Sequence, residues 1–257
     1  MTYKVSRQTL AAGIIVFASM SGNAHATTSV SWPDPATERE AYSSYTNITE
    51  GTKVSDFEWG VVSIWDIAAL GGETFSMCIQ KNVTVGGWDT SFDVTTGLVG
   101  FGLSASRITA LDVLVTNAMP TFLDLRSAYL TSLSGTDKIA VNNYALAMQL
   151  AVWEIAEETS TSLDLASGAG AFYLGGATTT HPYNNPAADS LAISFINNIS
   201  SGTWSSTGRY ALSYADSAFK QDQLLLTAPV PEPSAWAMMM TGLGAIGFVA
   251  RRRRDVA

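Results

Sequence analysis

Histidine and cysteine are almost missing from this chain, which holds two of the first and one of the second among 257 residues. A zinc site built on thiolates or imidazoles needs three or four ligands, so no metal is expected. A Ser-His-Asp hydrolase would have to be built on His181, which lies in a TTTHPYNNP loop with no nucleophile elbow nearby, and the chain is not read as an enzyme. Glycine-rich phosphate loops are lacking too. The pairs Gly71-Gly72, Gly86-Gly87 and Gly175-Gly176 have neither the lysine nor the following helix that nucleotide sites require, so they read as turns and no cofactor is expected. No Asp-x-Asp-x-Asp-Gly calcium loop occurs, and no internal repeat is visible. Basic charge is scarce: between Thr27 and Ala250 eight Lys and Arg face 21 Asp and Glu, a net of −13. Such a surface repels nucleic acid and anionic lipid. Three triplets, at Asn47, Asn82 and Asn198, match the glycosylation acceptor pattern and are read as chance matches.

What is present concentrates at the two ends. Lys4 and Arg7 precede an uncharged apolar run, Leu10 to Met20, and Ala24-His25-Ala26 offers small residues at the two positions a signal peptidase reads. Residues 1–26 are therefore expected to be a secretory signal peptide cut after Ala26. At the other end Val230-Pro231-Glu232-Pro233 leads into 17 uncharged residues, Ser234 to Ala250, and then into Arg251, Arg252, Arg253 and Arg254. That length sits at the lower limit of about 17 for a membrane helix. An arginine cluster resists translocation, so the C-terminus should stay cytoplasmic and everything before Val230 should lie across the membrane.

The Pro-Glu-Pro motif, short span and arginine cluster of residues 230–257 resemble the PEP-CTERM sorting signal of Gram-negative bacteria. The resemblance implies an exosortase-type membrane protease as partner, transient anchoring in the inner membrane, and then delivery to the cell surface or extracellular matrix. It also implies an association with exopolysaccharide and biofilm.

Residues 27–229 are left as the exported region. Val54 to Ile67 and Glu73 to Val85 read as strands around the Leu70-Gly71-Gly72 turn. Gly86 to Gly102 reads as loop, with strand residues around Phe92 to Val94. Ile108, Leu111, Leu114 and Val115 recur at helical spacing before Pro120, and Phe122 to Leu130 continues helically. Asp137 to Glu158 is the strongest helix, Ser160 to Thr180 a small-residue connection, and Pro186 to Ile199 a third helix. Arg209 to Tyr214 and Gln221 to Leu226 read as returning strands. Strands, then helices, then strands predict an α+β fold: a β-sandwich lobe with a helical lobe inserted at about 104–200, between the signal peptide and the C-terminal membrane helix.

Two features of this region bear on chemistry. Cys78 is a lone thiol inside an apolar strand, Phe75-Ser76-Met77-Cys78-Ile79, and the plain reading is a buried cysteine acting as a small hydrophobe. Gln149 is a polar residue on an otherwise apolar helix face, four positions before Trp153; the plain reading places it at a core boundary with its amide satisfied by the backbone. Glu154, Glu157 and Glu158 at the helix end are expected to face solvent. Gln80, two residues from Cys78, points the same way on a regular strand and could rival Gln149 as a partner for the thiol, though a strand holds such neighbours too far apart for easy ring closure.

Cys78 and the segment Gln149-Leu150-Ala151-Val152-Trp153 together resemble the internal-thioester domains of bacterial surface proteins. Gln149, Ala151 and Trp153 match that family's motif, while Met148 stands where threonine is usual and no aromatic flanks Cys78. The resemblance implies a Cys78–Gln149 thioester that couples once to an amine or hydroxyl on a target surface, making the protein a covalent adhesin. The alternative is a structural or carbohydrate-associated matrix protein of the same fold in which Cys78 stays a free, buried thiol.

Overall fold

The structure, a computed structural model, describes residues 27–31, 38–50, 53–67, 70–80, 91–98, 101–166, 170–175, 184–216, 221–227, 241–243 and 246. Ala24 and Ala26, His181, the motif Val230 to Pro233 and the arginines Arg251 to Arg254 lie outside these residues. Of the expected membrane stretch Ser234 to Ala250, only 241–243 and 246 are described, and they are helical.

Eight strands are described: β1 (Thr27–Ser31), β2 (Glu38–Glu50), β3 (Lys53–Ile67), β4 (Gly72–Cys78), β5 (Ser91–Thr96), β6 (Phe172–Leu174), β7 (Ala211–Asp216) and β8 (Gln223–Thr227). They form one sheet in the order β1-β5-β7-β8-β4-β3-β2-β6, and every strand pair is antiparallel. The α+β class stands, but the expected sandwich is corrected. Strands from both ends of the chain enter one continuous sheet, with β8 between β4 and β7, rather than two separate sheets.

Alternation along the strands gives this sheet two apolar faces. Phe75, Met77, Leu224 and Leu226 join the main core with the helices, as do Val62 and Ile64 of β3. Trp65, Ile67 and Leu225, of opposite parity, join Phe92, Val94 and Ala215 in a second cluster. Residues of β3 and β5 meet there although the strands are far apart in sheet order, so the sheet curls around that face.

Three helices cover the main core: α1 (Ala105–Ser132), α2 (Gly135–Glu157) and α3 (Pro186–Ser200). Each begins on a side-chain cap. Ser104 accepts from the Arg107 N–H, Ser134 from the Asp137 N–H, and Asn185 from the Ala188 N–H, with Pro186 at the first helical position. Leu133 closes α1 in the left-handed region at φ 50°, and its N–H donates to the Tyr129 carbonyl, so α1 turns into α2 within two residues. α1 runs unbroken through Pro120 and joins the two helical stretches read on either side of it. Proline costs the Thr116 carbonyl its amide partner, a loss that a 28-residue helix packed along α2 absorbs. Edge-to-face contacts of Phe122 with Tyr42 and Phe75 seat α1 on the sheet.

Among the described residues α1 is the one helix long and apolar enough to cross a membrane, and half of its apolar window is buried in the fold. It is a core helix, distinct from the C-terminal stretch expected to span. α2 packs against α1 and α3 on one side and against β2, β3, β4 and β6 on the other, which buries it almost all round from Tyr144 to Ile155.

Candidate functional site

The site forms where α2 crosses the end of β4. Cys78 is the last residue of β4, opposite Gln223 on β8. The Ile79 N–H donates to the Asp222 carbonyl at 3.0 Å, so the ladder toward β8 runs through Ile79. Backbone groups alternate edges along a strand, which turns the N–H and C=O of Cys78 the other way, toward β3. There the β3 register ends at Ser63 opposite Ser76. Gln149 fills the place: the Cys78 N–H donates to Gln149 Oε1 at 2.9 Å, and Gln149 Nε2 donates to the Cys78 carbonyl at 2.5 Å.

A carboxamide from a helix thus completes a strand ladder. The side chain of Gln149 is fully buried, which corrects the core-boundary placement, and both its polar atoms are satisfied by the backbone of Cys78 alone. Residues 71 apart in sequence are brought together, with the Gln149 carboxamide held against the backbone of Cys78.

Gly60 makes this approach possible, and the sequence reading passed over it. A Cβ at Gly60 would lie 2.5 Å from Leu146 Cδ1 and 3.1 and 3.2 Å from Gln149 Cβ and Cγ. A side chain there would have to displace the Leu146 methyl and press on Gln149. The signal was available, because an isolated glycine inside a strand marks a close approach of another element.

Burial pushes the Cys78 thiol up to about 11, against the pull of a hydrogen bond from Gln223. Gln223 Nε2 donates to Cys78 Sγ at 3.5 Å and to the Gln221 carbonyl at 3.2 Å, so both amide protons are used. Gln80 is drawn away from the sulfur: its Oε1 accepts from the Asp222 N–H at 3.2 Å. Ala151 and Trp153 are buried in the main core, and the Trp153 ring meets Phe172 of β6 edge-on at 6.4 Å between centroids.

The acidic end of α2 is not solvated as expected. Glu154 is fully buried and Glu158 nearly so. Glu154 Oε1 accepts from the Asp164 N–H at 2.6 Å, while Glu158 accepts from the N–H groups of Ser160, Ala171 and Phe172 at 2.5, 2.7 and 3.3 Å. These carboxylates fasten the segment after α2 over the helix end. Burial pushes Glu154 up to about 7, whereas backbone donors outweigh desolvation at Glu158 and hold it below the ordinary range. Among the described residues no group of three or more His, Cys, Asp or Glu is placed to hold a metal ion.

No curated protein and no solved structure matches the chain. A protein-family model described as the PEP-CTERM protein-sorting motif matches residues 229–254, the stretch that carries Val230 to Pro233 and Arg251 to Arg254, and this motif is that of an exosortase-sorted, exported surface protein.

Proposed function

We propose that the exported region is a Cys–Gln thioester domain that couples the protein covalently to a surface amine or hydroxyl. The observation that carries this reading is the double hydrogen bond between the Gln149 carboxamide and the Cys78 backbone. In the reaction Cys78 Sγ attacks Gln149 Cδ, and the carbonyl electrons move onto Oε1. The Cys78 N–H already donates to that oxygen and would stabilise the charge as it develops. The C–N bond then breaks, and the nitrogen leaves as ammonia carrying the thiol proton, so no outside oxidant or reductant is needed. Contact enforced by packing supplies the main assistance, because a free amide is a poor electrophile. An amine or hydroxyl of the target next attacks the same carbon, its proton passes to the departing sulfur, and Cys78 is released as a thiol. Each molecule couples once, so this is not enzymatic turnover. Signal peptidase and an exosortase-type protease act on the ends, and delivery to the surface or matrix of a Gram-negative cell follows.

Intact mass of the purified exported region tests the reading. The expected result is a deficit of one ammonia, absent from Cys78→Ala and exchanged for an adduct on methylamine treatment. A full-mass protein that methylamine leaves unchanged refutes it. The second reading is a structural or exopolysaccharide-associated matrix protein. It is favoured by the pairing of both polar atoms of the Gln149 amide with the Cys78 backbone as a ladder substitute and by the raised Cys78 thiol.

A further inference from the structure

We propose that Gln223 is a positioning residue for the Cys78 sulfur, holding it by an N–H hydrogen bond that strengthens as the sulfur takes on charge. The inference rests on the thioester reading and gives a residue outside its motif a role in it. Cys78 and Gln223 stand directly opposite each other on β4 and β8, so their side chains share one face of the sheet. Gln223 is buried, and its orientation is fixed at both donors: one Nε2 proton goes to the Gln221 carbonyl just before β8 and the other to Cys78 Sγ. A buried glutamine with apolar neighbours Leu224 and Leu225 is costly unless its donors are used, and the sulfur uses one of them.

The arrangement divides the labour around Cys78 between two carboxamides. Gln149 holds the backbone from the β3 side and presents the acyl carbon, while Gln223 holds the sulfur from the β8 side. A neutral donor suits this task, since it favours the thiolate over the thiol without bringing a proton acceptor into the core. Among the described residues, charged groups near the sulfur are few. Just before β8 the carboxylate is Asp222, whose backbone carbonyl accepts from the Ile79 N–H. On α2 it is Glu154, five residues beyond Gln149, and the chain neighbours of Cys78 are Met77 on β4 and Ile79 just past it. Burial is the main force opposing ionisation of Cys78, and Gln223 is the side chain that opposes burial.

The test compares wild type with Gln223→Met, which keeps the length and removes the donor, and with Gln223→Glu, which places a charge beside the sulfur. Ammonia release after refolding is followed by intact mass across a pH series, with thermal unfolding as the check on folding. The expected result for Gln223→Met is a rate profile displaced alkaline by about one pH unit, hence roughly tenfold slower release at a fixed pH below the midpoint. Gln223→Glu should move it further. Profiles that superimpose, or that fall equally at every pH, overturn the proposal. Should wild type release no ammonia, the thioester reading fails on its own. The Cβ chemical shift of isotopically labelled Cys78, the single cysteine of the chain, then reports the same displacement or its absence in the free thiol.

Discussion

Replacing Gly60 with alanine adds one methyl group at the narrowest point between α2 and β3. Gly60 has no positive φ, so alanine meets no backbone strain, and restricting the unfolded chain would by itself stabilise the fold by about 0.4–1 kcal/mol. The folded state opposes this gain. The new Cβ would stand 2.5 Å from Leu146 Cδ1, a separation real contacts essentially never show, and 3.1 Å from Gln149 Cβ, which is anchored on the helix backbone. The Leu146 methyl is the end of a flexible side chain, yet Leu146 is fully buried and has little room to turn. Overpacking of this kind costs about 1–3 kcal/mol, so the net expectation is a loss of roughly 1–2 kcal/mol. Urea unfolding should show a lower midpoint at an unchanged slope. Leu146→Val removes the offending atom, so the double variant should lose less than the sum of the two single losses. A Gly60→Ala protein as stable as wild type, or strictly additive behaviour in the cycle, refutes the argument that glycine is there to admit the helix. Intact mass of the same variant reads whether Gln149 has lost its seat against Cys78.

Glu154 binds its proton more tightly in the folded state than a free glutamate does, so stability should fall as pH rises from about 4.5 through about 7 and level off above. Glu154→Gln should flatten that slope in urea midpoints measured across the same range. Asp189, raised from 3.8 to about 6 mainly by burial, leaves a slope of the same sign that ends near pH 6. Arg126 on α1 grips Glu40 of β2 with two bonds of 2.7 Å and lies 3.5 Å from Glu73 of β4, so Arg126→Ala should cost about 1–3 kcal/mol by urea unfolding. Arg126→Lys should recover only part of it, having no planar fork. Serines in place of Arg251 to Arg254 should leave the protein unretained at the inner membrane, as cell fractionation would show.

The elements that carry the site were readable because their patterns are local. α2 combines helix-forming residues with an apolar surface, and β3 and β4 are rich in β-branched and aromatic residues. β2 was missed because its inward residues are largely polar: Thr46, Asn47 and Thr49 are buried beside Ile48, in a stretch whose composition resembles a loop. β6 is three residues long and owes its strand to pairing with Ile48, Thr49 and Glu50, which no local pattern encodes. The sandwich expectation failed for a related reason, since strands at both ends of a chain do not reveal whether they enter one sheet or two. Glu154 misled because a glutamate near a helix end normally meets water. What buries it is the segment containing Asp164, whose amide proton it accepts. The Cys78–Gln149 pairing was legible only through the motif, while Gln223 carried no sequence signal that sets it apart from a surface glutamine.

Gln149 sits well inside α2, a rod wedged among two other helices and four strands. A tether attached at that side chain would pull on the middle of the molecule, and the load would spread sideways into the sheet before reaching either chain end. Tension from a moving surface would have to extract the whole rod at once, which is a far harder mechanical failure than peeling a terminal strand.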